Sequence, residues 1–249
     1  MISAPILECR DVAVGYVGRP VVSDITFSVK KGEIAALIGE NGSGKSTLLK
    51  TLIKEIPLIS GIVRIDDKDI SGLSAHDIAR CMAIVMTGSI RPEYFTCYDL
   101  AASGRYPYTD GMGRLKEKDI NAVEEAMRLT GTWELKDRFV TDISDGQRQL
   151  VMLSRAIAQE PHILILDEPV SFLDIRHRIL FARAVKELVK KRNISVLMSI
   201  HELDIVRTMA DTVIALKDGH VDSSGSVGDV LTDGYVRELF RLDEEYEGS

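Results

Sequence analysis

The chain is poor in cysteine, in tryptophan and in long apolar runs. Its 249 residues hold three cysteines and one tryptophan. Cys9, Cys81 and Cys97 are odd in number and widely spaced, so neither a disulfide framework nor a zinc site can be read from them. Such cysteine usage fits a reducing compartment and leads to the expectation of a soluble, cytoplasmic protein. No segment reaches the roughly 18 consecutive apolar residues that a membrane helix needs. The opening stretch MISAPILECRDV carries an acid and an arginine and lacks a long apolar core, unlike a secretory signal. Positive charge is also in deficit: 31 Lys and Arg stand against 38 Asp and Glu, a net charge of −7. That balance argues against a dedicated nucleic-acid binder, which needs a positive face for phosphates, while leaving room for a local basic patch.

What remains is ordinary globular composition. Hydrophobic residues make up 45% and charged residues 28%, too apolar for a disordered chain. The length suits one large domain or a domain with an inserted lobe. The first third reads as short apolar segments broken by glycine. Ile25 to Val29 is strand-like and Lys31-Gly32 is a turn. Ile34 to Ile38 is a continuous apolar run, as expected of a strand buried on both faces. Leu48, Leu49, Leu52 and Ile53 then share a helical face, with Pro57 marking the helix end. From about Gly88 to Gln159 the pattern turns helical, with Ile120, Val123 and Met127 on one face and Leu150, Leu153 and Ile157 on another. Ile163 to Leu166, Val196 to Ile200 and Thr212 to Leu216 read as strands. A helix through Leu180, Ala184, Val185 and Leu188 separates the first two, and a hairpin-type turn at Asp218-Gly219 follows the last. A short helix with Tyr235, Val236, Leu239 and Phe240 and an acidic end, Asp243 to Glu247, close the chain. Alternating strands and helices imply an α/β domain with a mostly parallel sheet, interrupted by the helical stretch.

Between the Ile34–Ile38 strand and the next helix, Gly39 to Ser46 matches the pattern G-x-x-x-x-G-K-S/T. As a plain glycine-rich turn the segment would merely connect the two elements. The strand before it and the helix after it favour a phosphate-binding loop. Glycines let the backbone amides wrap a phosphate, and the helix N-terminus adds positive potential. Gly39, Asn41, Gly42, Ser43, Gly44, Lys45, Ser46 and Thr47 are therefore the candidate nucleotide-contacting residues. Lys45 would reach the β- and γ-phosphates, and Ser46 would ligate Mg²⁺.

Asp167, Glu168 and Pro169 follow the buried run Ile163 to Leu166, at the strand end where open α/β sheets bind ligands. Asp167 is placed to hold Mg²⁺, and Glu168 to orient or deprotonate an attacking water. His201 ends the strand after that. A parallel neighbour would bring it to the γ-phosphate end, where it would sense the phosphate and hold the water. Ser144 and Gln147 form a capping box ahead of the apolar helix Leu150 to Ile157.

Ile143 to Gln149, with Ser144, Asp145, Gly146 and Gln147, resembles the signature sequence of the ABC ATPases. With the phosphate loop, Asp167-Glu168 and His201 in the same order, the resemblance covers nearly the whole chain. Ser171 to Asp174 resembles that family's D-loop, and Tyr16 stands where an aromatic stacks on adenine. The resemblance implies one ABC ATPase domain over residues 1–249: a P-loop NTPase core with a mostly parallel sheet, an N-terminal antiparallel β subdomain and an inserted helical lobe over about 88–160. It implies ATP and Mg²⁺ as ligands and a head-to-tail dimer with a second copy. In that dimer Ser144, Gly146, Gln147 and Asp174 would meet ATP across the interface.

Two residues depart from the family pattern. Asp145 stands where glycine is usual, and an acid there should repel a triphosphate unless it points away and strengthens the helix N-terminus instead. Thr87 stands where glutamine usually contacts Mg²⁺, the attacking water and the membrane partner. Its shorter hydroxyl implies slower or differently coupled hydrolysis.

The separation of Lys45 and Ser144 leaves no room for a long coiled coil, and there is a single phosphate loop and no span. These features point to a separate cassette docked on an integral membrane permease at the cytoplasmic face of the inner membrane. Leu100 to Tyr108 and Lys116 to Ile120 resemble cassettes that import iron–siderophores, haem or vitamin B12, systems that also use a substrate-binding protein. Asp99 to Tyr108 lies where such cassettes touch the permease. Two other readings stay open: a soluble ABC ATPase of iron–sulfur assembly, and a regulatory ATP-binding module with weak hydrolysis.

Overall fold

The computed structural model describes residues 5–16, 19–86, 92–110, 112–171 and 173–241. In chain order the strands are β1 (Pro5–Tyr16), β2 (Arg19–Lys30), β3 (Ile34–Gly39), β4 (Leu58–Ile65), β5 (Lys68–Asp69), β6 (Met82–Met86), β7 (Ile163–Asp167), β8 (Ser195–Ser199), β9 (Thr212–Lys217) and β10 (His220–Ser226). The helices are α1 (Lys45–Leu52), α2 (Ala75–Cys81), α3 (Cys97–Ala102), α4 (Glu117–Leu129), α5 (Asp145–Ala158), α6 (Ile175–Arg192), α7 (Leu203–Met209), α8 (Val227–Val230) and α9 (Asp233–Leu239). The chain divides into two compact units, residues 1–73 with 195–249, and residues 74–194.

In the first unit β3 is buried along its whole length, as its unbroken apolar run requires. β8 and β9 flank it in parallel, with Leu37 opposite both Ser199 and Ile214. β10 returns antiparallel to β9. The return is made by Asp218 and Gly219 at φ 49° and 82°, the left-handed pair that a two-residue type I′ hairpin needs. The other sheet is four-stranded and antiparallel, in the order β2-β1-β4-β5. Ser23 N donates to Gly219 O at 2.9 Å and ties β2 to the β9–β10 hairpin. α1 buries Leu48, Leu49 and Leu52, each worth about 1.5–3 kcal/mol relative to exposure. The helix stops at Leu52, before Pro57, because Lys54 turns to φ 62°. The Lys54 ammonium then donates to the carbonyls of Ile70 (3.0 Å) and Leu73 (2.7 Å). At the other end of the chain, α9 packs through Leu239; the acidic stretch Asp243 to Glu247 lies outside the described residues.

In the second unit β6 and β7 pair in parallel, with Met86 opposite Asp167. α5 packs against β6, and α3 and α4 pack on α5; α3 buries Leu100 and Ala101, α4 Val123, Ala126 and Met127, and α5 Leu150, Leu153 and Ile157. The helical stretch expected over 88–160 falls inside this unit, together with α2, β6, β7 and α6. One helical position differs from its spacing. Ile120 is 44% exposed, and the inward place in the first turn of α4 belongs to Asp119, which is 0% exposed. Among the described residues no helix is long and apolar enough to cross a membrane.

Candidate functional site

The phosphate loop is built by the first unit. Gly39 sits at φ 147°, and a Cβ there would stand 2.3 Å from Leu216 O. Gly44 sits at φ 94°, and a Cβ there would stand 2.4 Å from Val22 Cγ1. Both positions therefore exclude a side chain, by conformation and by space. Gly44 is the N-cap of α1 and gives it no side-chain cap, and the first turn carries no acid. A helix start with neither a side-chain cap nor an acid of its own is the usual setting of an anion site. Lys45 is only 5% exposed. Its ammonium donates to the carbonyls of Gly39 (2.9 Å) and Glu40 (2.8 Å) and to Ser43 Oγ (3.4 Å). The cation is held by the loop's own oxygens, at a place from which incoming phosphate oxygens can take it over. Asn41, Gly42 and Ser46 are exposed, Ser43 and Thr47 half-buried.

His201 belongs to the same unit. β8 lies beside β3 in parallel, and Ile200 N donates to Leu37 O at 3.2 Å. His201 therefore leaves the sheet at the edge where Gly39 opens the phosphate loop, as its strand-end place predicts. Tyr16, at the end of β1, is exposed and free to stack on a flat ring.

The second unit carries the other candidates. Asp167 ends the fully buried β7 and is itself buried. Glu168 follows at φ 47°, a left-handed backbone that costs a non-glycine residue about 1–3 kcal/mol and persists only where its surroundings enforce it. Enforcement is visible on either side. Ser171 N donates to Glu168 O (3.3 Å) and Ser171 Oγ to Glu168 Oε2 (3.4 Å). Gln149 Nε2 donates to Pro169 O at 3.2 Å, which ties α5 to this turn. Thr87 lies outside the described residues.

Ser144 caps α5 in the expected box: Gln147 N donates to Ser144 Oγ (3.2 Å) and Ser144 N to Gln147 Oε1 (3.0 Å). Asp145 points to the guanidinium of Arg148, with which it pairs through Nη1. Arg148 is buried and also donates to Ile143 O at 3.1 Å. The acid expected to repel a triphosphate is thus paired within its own helix. Gly146 is buried against the imidazole of His177. Asp174 caps α6, accepting from His177 N at 2.9 Å. That backbone amide, with the imidazole beside it, holds the Asp174 carboxyl below its ordinary range. His177 and Arg148 escaped the sequence reading. The signal for both is a spacing of three residues from an acid at a helix start, Asp174 and Asp145.

Among the described residues no group of three His, Cys, Asp or Glu side chains could hold a metal ion alone. Mg²⁺ carried on phosphates needs only one or two protein oxygens. The Ser46 hydroxyl and the Asp167 carboxylate are donors of that hard type.

A buried parallel strand, a glycine loop and a helix with a buried lysine at its start define a phosphate-loop nucleotide-binding protein. The sequence model of the ABC transporter family matches residues 22–171, and the chain belongs to that family. The iron(3+)-hydroxamate import ATP-binding protein FhuC of Bacillus subtilis (strain 168) is 36% identical over 96% of this chain and 89% of its own length. The ferric enterobactin transport ATP-binding protein FepC of Escherichia coli (strain K12) is 31% identical over 95% and 87%. Among solved structures, cbiO1 from Clostridium perfringens, part of the ABC transporter complex cbiONQ, matches with a TM-score of 0.81 at 26% identity. That match covers 98% of this chain and 97% of cbiO1.

Proposed function

We propose that this chain is the ATP-hydrolysing subunit of an ABC importer for iron–siderophore, haem or cobalamin-type cargo, acting as a second-copy dimer docked on a separate permease. The observation that carries ATP binding is the phosphate loop, with Lys45 buried on the loop's own oxygens and His201 leaving the same sheet edge. The hydroxamate and enterobactin relatives support the cargo class.

The chemistry follows from the residues. Loop amides from Gly42 to Thr47 bind phosphate oxygens, and Lys45 donates to the β- and γ-phosphates. Tyr16 stacks on adenine. Ser46 and Asp167 would hold Mg²⁺, which supplies charge neutralisation on the phosphates. Glu168 takes a proton from the attacking water, and His201 donates to the γ-phosphate and keeps that water in place. Ser144, Gly146, Gln147 and Asp174 meet the ATP held by the second copy. Closure of two copies on ATP then shifts the permease between two states, and hydrolysis reverses it.

Docking at the cytoplasmic face of the inner membrane uses the exposed aromatics of the second unit. Tyr94, Phe95, Tyr106 and Phe139 are all exposed, and Val140 N donates to Phe95 O at 2.9 Å, which brings Phe95 beside the segment that carries Phe139. Arg105, between them in sequence, is buried and takes no part in that surface.

The test is reconstitution with the permease and its substrate-binding protein in vesicles. ATP-dependent uptake of a ferric siderophore that stops with Glu168→Gln supports the reading. ATP hydrolysis without uptake of any of the three cargo types rejects the importer assignment.

A further inference from the structure

We propose that His177 is a positioning residue that locks the start of α5 and the carboxylate of Asp174 into one arrangement. The proposal rests on the reading above, in which both segments meet ATP in the second copy.

Three observations meet at this imidazole. Its Nδ1 lies 2.9 Å from each Asp174 oxygen, so the ring N–H is directed at the carboxylate. The same carboxylate accepts the His177 backbone amide at 2.9 Å. Asp174 is thus fixed from two sides, although its own side chain stands in solvent. On its other side the ring lies on Gly146. A Cβ at position 146 would stand 2.6 Å from His177 Cγ, 2.7 Å from Nδ1 and 2.9 Å from Cδ2. Glycine at 146 is therefore a requirement of the imidazole, in addition to any demand of a nucleotide.

The consequence is mechanical. Residue 146 is in the first turn of α5, where backbone amides lack the carbonyl partner four residues earlier that the rest of the helix uses. Those amides can serve a phosphate only if the turn is held still, because an anion site gains from donors already in place. The ring is a rigid spacer with two χ angles between that turn and the Asp174 carboxylate. Ser144 and Arg148 hold the same turn through the capping box and Asp145, and His177 ties it to α6.

The test uses full-length protein with Glu168→Gln, in which ATP is bound and not consumed. ATP-driven dimerisation is followed by sedimentation, and ATP affinity of the dilute single copy by displacement of a fluorescent nucleotide. Adding His177→Ala is expected to raise the ATP concentration needed for dimerisation at least tenfold, with single-copy affinity within twofold. His177→Asn, whose amide can donate in place of Nδ1, is expected to recover most of the loss. Gly146→Ala is expected to impair dimerisation in the His177 background and to do so less beside His177→Ala, a non-additivity that only direct contact produces. Equal dimerisation with and without His177→Ala overturns the proposal alone. A Glu168→Gln protein that stays single with ATP overturns the sandwich reading, and this proposal with it.

Discussion

Arg105 and Asp119 form a two-point ion pair inside the second unit. Arg105 Nε and Nη2 both donate to Asp119 Oδ1, at 3.0 and 2.8 Å, and the side chains are 2% and 0% exposed. Further donors and acceptors around the pair are engaged. Asp119 Oδ2 accepts from Lys116 N at 2.9 Å. Arg105 Nη1 donates to Ala158 O and to Glu160, each at 2.7 Å, and the Tyr108 ring lies 4.1 Å below the guanidinium. The pair therefore joins the segment before α4, the start of α4 and the end of α5. Removing one partner leaves the other charge buried and alone, which costs about 3–5 kcal/mol. Arg105→Met is expected to lower the urea midpoint by that amount of stability. Arg105→Met with Asp119→Leu should recover most of it, because a well-packed apolar pair can replace a buried ion pair. Equal losses in the single and double variants would refute the pairing.

The same carboxylate sets an acid limit. Burial pushes the Asp119 carboxyl up, but the Lys116 amide and the Arg105 guanidinium outweigh it and leave it below its ordinary range. A carboxyl lowered by folding binds its proton more readily when unfolded. Its contribution is complete above the unfolded value, near about 3.9, and is lost as pH falls from there through the lower folded value. Asp119→Asn should be less stable than the parent at neutral pH, and the gap should narrow below about pH 4. Parallel stability curves for the two proteins between neutral pH and pH 2 would contradict this.

In the proposed mechanism Glu168 and Lys45 separate binding from turnover. Glu168→Gln keeps the shape of the turn at Ser171 and removes only the proposed base. It should lower kcat by about 10²–10⁴, the usual worth of a positioned base, with little change in KM. Lys45→Met removes the cation proposed to contact the phosphates in ground state and transition state alike, so ATP affinity itself should fall. Steady-state kinetics with nucleotide displacement distinguish the two patterns. Full activity in Glu168→Gln would remove Glu168 from the mechanism.

The parts of the chain that were legible are those where local chemistry and fold agree. β3, the phosphate loop and α1 are read from an apolar run, glycines at conformations other residues avoid, and a helical stripe. The capping box of Ser144 and Gln147 is read from two residues and found as drawn. Hidden features are those in which a charged side chain occupies an interior place. Hydrophobic spacing assigns the inner face of α4 to Ile120, whereas the buried residue is Asp119, paid for by an arginine fourteen positions earlier. No periodicity contains such a pair. His177 was hidden for a related reason: Asp174 lies three residues before it, but Gly146 meets its ring only in three dimensions. Arg148 could have been suspected, since an acid and an arginine three apart on a helix face each other.

Asp145 has two effects of opposite sign. Near a partner's triphosphate it would repel charge. At the start of α5 it favours the helix dipole and pairs with the buried Arg148. The geometry decides for the second effect, since its carboxylate is engaged by that guanidinium. Asp145→Gly should therefore cost stability, about 1–2 kcal/mol from the loss of a charged hydrogen bond and a first-turn acid. It should also leave Arg148 with only its backbone acceptors at Ile143 and Val140. ATP-driven dimerisation of Asp145→Gly should improve by less than threefold, because the charge removed was already neutralised. A tenfold or greater gain in dimerisation, with unchanged thermal stability, would show that Asp145 faces the nucleotide and that its pairing with Arg148 is not maintained in the closed dimer.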